Sequence, residues 1–315
     1  MRCNQREALE LAYRAIIRAG AREDIAASLA EAVVSAERAG NRAVGFAHLI
    51  DYLRAFAEGR IARDAVPVIT YPSPARICVD AGQGIAQLGF DLAFGQLVER
   101  TEANGVATFQ QRDSYTVGEL GYYTRRLAEK GLLALAVSNA PALLTTLECR
   151  KPVLGTNPLS FAAPTQNGPP LVIDQSSSAT AFVNVRRAAE QGDPIPDGWA
   201  LDGAGQPTTD SREALNGALL AFGGARGANI ALMIEILAAG LTGANWSLDA
   251  PSFEHGGQSP SVGMTVVAWA AAPAFRARLE DHIERLSRCG MRIPGRRESL
   301  DQLEIPDSII EQIER

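Results

Sequence analysis

The chain has 315 residues, 46% of them apolar and 21% charged, with a formal net charge of −6. That length allows one large domain or two interlocked ones, and the composition excludes a disordered chain. The charges are interspersed without a basic stripe, which excludes a nucleic-acid partner from the expectations.

Asn4 is positioned to cap a helix running to about Ala19, with Leu9, Ala12, Tyr13, Ile16 and Ile17 on one face and Gly20 as its stop. A second helix from about Arg22 carries Ile25, Leu29, Val33 and Ala36 and ends at Gly40. The junction Gly40-Asn-Arg-Ala-Val-Gly-Phe-Ala-His48 leads into a third helix through Tyr52, Leu53 and Phe56. Extended structure follows, with Arg76–Asp80 as a strand. Gly82-Gln-Gly-Ile-Ala-Gln-Leu-Gly89 imitates a dinucleotide fingerprint but has Gln87 where the third glycine belongs, so it reads as a turn before a helix at 90–103.

A strand at 105–109 and a loop at 112–118 come next, followed by a helix at 121–130, a strand at 132–137 and the turn Ser138-Asn-Ala-Pro141. The central stretch is Gly155-Thr-Asn-Pro-Leu-Ser-Phe-Ala-Ala-Pro164, a polar turn, then Leu171-Val-Ile-Asp174 and four small polar positions. Periodicity alone reads it as a hairpin with a Ser-rich turn; a strand delivering Asp-x-Ser-Ser to its end also suits a polar ligand. Helix 180–190 places Arg186 and Arg187 on one side, and 199–210 is a turn-rich hairpin. Gly223-Gly-Ala-Arg226-Gly227 then enters an apolar helix at 230–241, a natural anion site because glycine N–H groups and the positive helix end face outward. A loop containing His255, a strand at 264–270 and helices at 273–289 and 307–313 complete the chain.

The apolar window 230–241 contains Glu235 and Gly240 and is too short for a bilayer, and the N-terminal stretch lacks a signal-peptide pattern. Cys3, Cys78, Cys149 and Cys289 are scattered, so reduced thiols are expected instead of disulfides or a zinc site. A soluble, cytoplasmic protein with no membrane partner and no metal is the expectation.

The central stretch, together with Ile195-Pro-Asp-Gly-Trp-Ala-Leu-Asp202, Gly205-Gln-Pro-Thr-Thr-Asp210 and Met291-Arg-Ile-Pro-Gly-Arg-Arg-Glu298, resembles the malate/L-lactate dehydrogenase family. That family includes ureidoglycolate, sulfolactate and diketogulonate dehydrogenases and the piperideine- and pyrroline-2-carboxylate reductases. The resemblance implies an α/β fold: a non-Rossmann, nicotinamide-binding sheet domain (66–272) and a helical domain from the two ends (1–65 plus 273–315). It also implies a homodimer, NADPH or NADH as cofactor, and a small carboxylate substrate.

The family's usual catalytic side chains are replaced. Ala43 and Val44 stand where Ser and His are expected, His48 where an Arg grips the substrate carboxylate, and Thr116 where a second His donates a proton. His48, Tyr115 and Thr116 are therefore the catalytic candidates, and His48, Arg42 and Ser114 the substrate-binding ones. His48 can be an anchor for the carboxylate, a recruited acid or a packing residue. The cofactor candidates are Ser138, Asn139, Thr156, Asp174, Gln175, Ser176, Arg226 (in place of a Lys) and His255.

Hydride transfer to a carbonyl needs a proton for the developing alkoxide, and losing the acid costs ~10²–10⁴ in rate. A cyclic imine arrives protonated and needs no enzyme acid. The expectation is thus an imino-acid reductase; the alternatives are a 2-hydroxy-acid dehydrogenase or an inactive nucleotide-binding family member.

Overall fold

Asn4 closes a capping box at the first helix: its Oδ1 accepts from the Glu7 amide at 3.1 Å, and Glu7 Oε2 accepts from the Asn4 amide at 2.9 Å. The structure is a computed structural model that describes residues 1–295 and 300–314, so Arg296, Arg297 and Glu298 of the C-terminal motif lie outside the described residues. Strand β1 (Arg2–Asn4) runs into α1 (Gln5–Arg18), then α2 (Glu23–Arg38) and α3 (Phe46–Ala57). The middle of the chain holds β2 (Val68–Ser73), β3 (Arg76–Asp80), α4 (Ala86–Asn104), β4 (Val106–Ser114), α5 (Leu120–Glu129), β5 (Leu132–Ser138), β6 (Leu144–Thr145), β7 (Leu159–Ala163) and β8 (Leu171–Gln175). After these come α6 (Phe182–Gln191), β9 (Ala200–Leu201), β10 (Pro207–Thr208), α7 (Ser211–Leu215), β11 (Ala218–Leu220) and α8 (Ala225–Glu235), which runs on into a π-turn. Strand β12 (Val262–Ala270), α9 (Phe275–Arg288), β13 (Gln302–Glu304) and α10 (Asp307–Glu314) end the series.

A seven-stranded sheet has the order β2-β3-β4-β12-β5-β7-β8, and only β3 and β4 are parallel neighbours. Helices α4 and α5 cover it through a core that includes Phe90, Phe109, Tyr123, Leu127 and Val266. A second core joins α1, α2 and α3 to the C-terminal segment through Ile16, Leu29, Phe56, Leu303 and Ile313. Strands β1 and β13 pair antiparallel at its edge. The described C-terminal contribution to this helical part comes from residues 300–314. Helix α9 lies elsewhere, where Glu280 accepts from the Asn167 amide. A four-stranded sheet, β10-β9-β11-β6, packs with α6 and α7 over Leu144, Val185, Ile195 and Leu219.

Three boundaries differ from the sequence reading. Helix α4 starts at Ala86 because Gly89 is a packing glycine inside it: a Cβ there would lie 2.1 Å from Gln111 Oε1. Strand β4 continues to Ser114, with Gln111 Nε2 donating to Ser114 Oγ (2.8 Å) and to the Ala86 carbonyl (3.1 Å). Helix α8 begins at Ala225, so Arg226 belongs to its first turn.

Candidate active site

A cleft of about 820 Å³ opens where the helical part, the large sheet and the small sheet meet. Helix α3 contributes Ala47, His48 and Asp51; residues 116–120 and 139–141 form the floor; Thr156, Pro158, 174–176 and 178–183 form the far wall. The turn bearing Thr156 is braced from beneath. Asn157, buried at φ +36, donates through Nδ2 to Glu235 Oε2 at 2.7 Å and to the Ala231 carbonyl at 2.9 Å. Ser247 donates to the same Glu235 carboxylate from its amide and its hydroxyl, each at 2.6 Å. A carboxylate with three donors is well compensated for its burial.

His48 lies on the first turn of α3 with little of its side chain exposed. Its Nδ1 meets Asp51 Oδ2 at 2.9 Å, and its Nε2 lies 3.3 Å from Thr116 Oγ1. Thr116 Oγ1 donates to Tyr52 OH at 2.7 Å, and Tyr52 OH accepts from Gln87 Nε2 at 3.2 Å. With that hydroxyl hydrogen committed to Tyr52, bonds from both ring nitrogens require the imidazolium. With a neutral ring protonated at Nδ1, the Thr116 hydroxyl turns to donate to Nε2 instead. One rotating hydroxyl therefore serves either protonation state. Burial pushes the Asp51 carboxyl up, but the His48 hydrogen bond and charge, then Arg186 and Arg54, outweigh it and hold Asp51 below its ordinary range.

Across the cleft, Asp174 Oδ2 accepts from the Gly121 amide at 2.8 Å, at the start of α5. The carboxylate opens onto the cleft while protein encloses its other sides. Burial, followed by the nearby Glu119 carboxylate, pushes it up to about 7. Glu119 is itself held by Arg125 at 3.0 Å.

Residues 4–304 match the sequence pattern of the malate/L-lactate dehydrogenase family. The chain belongs to this family. It is 37% identical to the (2R)-3-sulfolactate dehydrogenase (NADP(+)) of Chromohalobacter salexigens, over 98% of this chain and 96% of that protein. It is 33% identical to a Delta(1)-pyrroline-2-carboxylate reductase of Pseudomonas fluorescens, with the same shares of 98% and 96%. The crystal structure of the delta1-piperideine-2-carboxylate reductase from Pseudomonas syringae pvar. tomato superimposes with a TM-score of 0.94 at 33% identity, covering 99% of this chain and 98% of that one.

Of the residues singled out by the family resemblance, His48, Thr116, Asn139, Thr156, Asp174, Gln175 and Ser176 come together in the cleft. Ser138, Ser114 and Tyr115 do not line it. Ser138 Oγ is spent on the Gly263 carbonyl at 2.8 Å, and Ser114, at the end of β4, is buried against Gln111. Tyr115 points into the core, where burial pushes its phenol well up; its hydroxyl donates to the Phe253 carbonyl at 2.7 Å. Arg42 sits outside the lining although Asn41, Ala43 and Val44 form part of it. Arg226 is exposed on α8, and His255 is exposed in an adjoining cavity beside Glu254. The sequence reading missed Asp51, Glu119, Glu254 and the placing of Arg186 in this cleft. Asp51 had a legible signal, since a carboxylate three residues after a helical His shares its face.

Proposed function

We propose that the protein is an NAD(P)H-dependent oxidoreductase that reduces a small cyclic imino acid of the pyrroline- or piperideine-2-carboxylate type to the amino acid. The observation that carries this reading is the composition of the cleft. His48 is its one histidine among the described residues, while Val44 and Thr116 occupy the family's usual acid positions. A substrate whose nitrogen arrives protonated suits such a site. The likeness to two imino-acid reductases along nearly the whole chain supports it.

The cleft fits a nicotinamide nucleotide. Its volume is within the range of small-molecule sites, about 300–1,000 Å³, and Thr156, Ser176, Ser178 and Thr180 line its far wall with hydroxyl groups. Gly223 and Gly224, at φ +58 and +64, leave the N-terminus of α8 open, with no atom within 4 Å of where a Cβ would stand. Thr156, Asp174, Gln175 and Ser176 would hold the nucleotide, with Asn139, its side chain engaged by the Asn245 carbonyl and the Gly263 amide, shaping the floor. Arg226 and the open start of α8 would favour its phosphates. The bound nucleotide would supply the hydride. His48, steadied by Asp51, holds a proton at the cleft wall for the substrate nitrogen or for the product amine on release. We place nucleotide binding on the largely antiparallel sheet and not on a doubly wound domain; none of Gly82–Gly89 lines the cleft.

A 2-hydroxy-acid dehydrogenase is the second reading, favoured by the His48–Asp51 pair, which has the makings of a recruited acid, and by the sulfolactate dehydrogenase relative. Oxidation of NADPH and NADH with pyrroline-2-carboxylate, piperideine-2-carboxylate, pyruvate and sulfopyruvate separates the two. Turnover confined to the cyclic imines is expected; turnover confined to the oxoacids reverses the assignment. No oxidation with any of them, with nucleotide still bound, identifies an inactive family member.

A homodimer in the cytoplasm belongs to the same proposal. Leu232, Met233, Ile236, Leu241, Trp246 and Leu248 are all exposed along and beside α8, an apolar face suited to a second copy. A sedimentation coefficient of a monomer at micromolar concentration would remove the dimer. No described helix is long and apolar enough to cross a membrane.

A further inference from the structure

The main cleft shares a wall with a smaller cavity of about 400 Å³, and Ala47, Asp51, Phe182, Arg186 and Glu254 line both. Arg186, on α6, forms an ion pair with Glu254 across that wall, so the partition between the cavities includes a charge pair beside Ala47 and Phe182. Their side chains are 42% and 22% exposed. Among the described residues lining the main cleft, Arg186 is the only Arg or Lys; the other charged or ionisable ones are His48, Asp51, Glu119, Asp174 and Glu254. A small carboxylate entering this cleft meets four carboxyl groups and one permanent cation.

We propose that Arg186 is the anion-binding group of the cleft and that the substrate carboxylate takes the place of Glu254 on its guanidinium. This rests on the reading of the substrate as a small cyclic carboxylate. In the exchange one carboxylate leaves the guanidinium and another of the same charge arrives, so Arg186 keeps a partner while Glu254 gives up its own. A guanidinium presents a planar fork to a carboxylate and holds it in one orientation. His48 is a weaker anchor because its Nδ1 is already engaged by Asp51, whose charge repels a second carboxylate. Glu254 follows Phe253, whose carbonyl is fixed by Tyr115 and Arg60. The displaced carboxylate can therefore swing from a tethered backbone, towards the side cavity where Arg54 and His255 lie. The ion pair acts as a latch on the substrate position that only an anion opens.

The test compares wild type, Arg186→Ala, Arg186→Lys and Glu254→Gln in two assays. The first is calorimetric binding of L-proline and of L-prolinamide, in which a neutral carboxamide replaces the carboxylate, in the presence of NADP(+). Wild type should prefer L-proline by at least tenfold, Arg186→Ala should lose that preference, and Arg186→Lys should recover part of it. Glu254→Gln should bind L-proline more tightly, because its competitor is gone. In the second assay, turnover of pyrroline-2-carboxylate, Arg186→Ala should raise KM by more than it lowers kcat. No carboxylate preference in wild type, a preference kept in Arg186→Ala, or weaker L-proline binding in Glu254→Gln overturns the proposal. Failure of wild type to reduce any cyclic imine, with the Arg186-dependent preference intact, refutes the reductase reading and leaves the anion site standing.

Discussion

Tyr115 and Phe253, 138 residues apart, are joined by a hydrogen bond from the phenol to the Phe253 carbonyl at 2.7 Å. The buried Arg60 guanidinium donates to the same carbonyl and to the Tyr115 hydroxyl, so a core tyrosine and a core arginine fix the segment that carries Glu254. Tyr115→Phe should cost about 1 kcal/mol, the net worth of one such bond, and should lower kcat/KM by loosening this wall. Urea unfolding and steady-state kinetics check it. Full kinetics with lowered stability would confine Tyr115 to the core.

His48 and Asp51 separate the two substrate readings. If a 2-hydroxy acid is the substrate, His48→Asn removes the acid and kcat should fall ~10²–10⁴. With a cyclic imine, protonated before it binds, the loss should be less than tenfold. Asp51→Asn should follow the same pattern in milder form, because it disturbs the orientation of the imidazole without removing it.

Asp174 gives a stability prediction with a definite sign. Desolvation at the cleft wall, followed by the nearby Glu119 carboxylate, pushes its carboxyl up from the ordinary 3.8 to about 7. Between those values the folded chain keeps a proton that the unfolded chain releases, so this contribution is present at low pH and is lost as pH rises from about 4 to 7. Asp174→Asn, which is permanently neutral, should gain on wild type as pH rises through that window and show no further relative gain above it. Urea unfolding at pH 4, 5.5, 7 and 8 measures the difference.

Glu235 and Asn157 should be coupled. Glu235→Ala strands the Asn157 amide and the Ser247 donors in a buried place, each worth about 1–3 kcal/mol when unsatisfied. A double-mutant cycle with Asn157→Ala should return at least 1 kcal/mol of interaction energy. Additive losses would show that the Gly155–Pro158 turn holds its shape without the carboxylate.

The helical part was legible because its signals are local: Asn4 caps, Gly20 and Gly40 stop, and the apolar residues recur at helical spacing. The strands Arg76–Asp80 and Leu132–Ser138 announced themselves through short β-branched or apolar runs. Gly89 misled, since a glycine that permits close helix–sheet approach looks the same in sequence as one that breaks a helix. Of the residues carried by family motifs, His48, Thr116, Asn139, Thr156, Asp174, Gln175 and Ser176 line the cleft while Arg42, Ser114, Ser138 and Arg226 do not, and those defined by tertiary approach were not read. Nothing local tells that Tyr115 turns inward while its neighbour Thr116 faces His48, or that Arg186 meets a carboxylate 68 residues further on.

Strand β12, fourth of seven by position in the large sheet and last of them in chain order, is its keystone in time as well as in space. It lies between β4 and β5, yet residues 262–270 are among the last of the sheet to leave the ribosome. Until they emerge, β2-β3-β4 and β5-β7-β8 are two separate half-sheets, each with a long bare edge that can recruit another nascent chain. Slow, chaperone-dependent folding and insoluble fragments from any truncation before Val262 are the expected cost of placing the central strand so late.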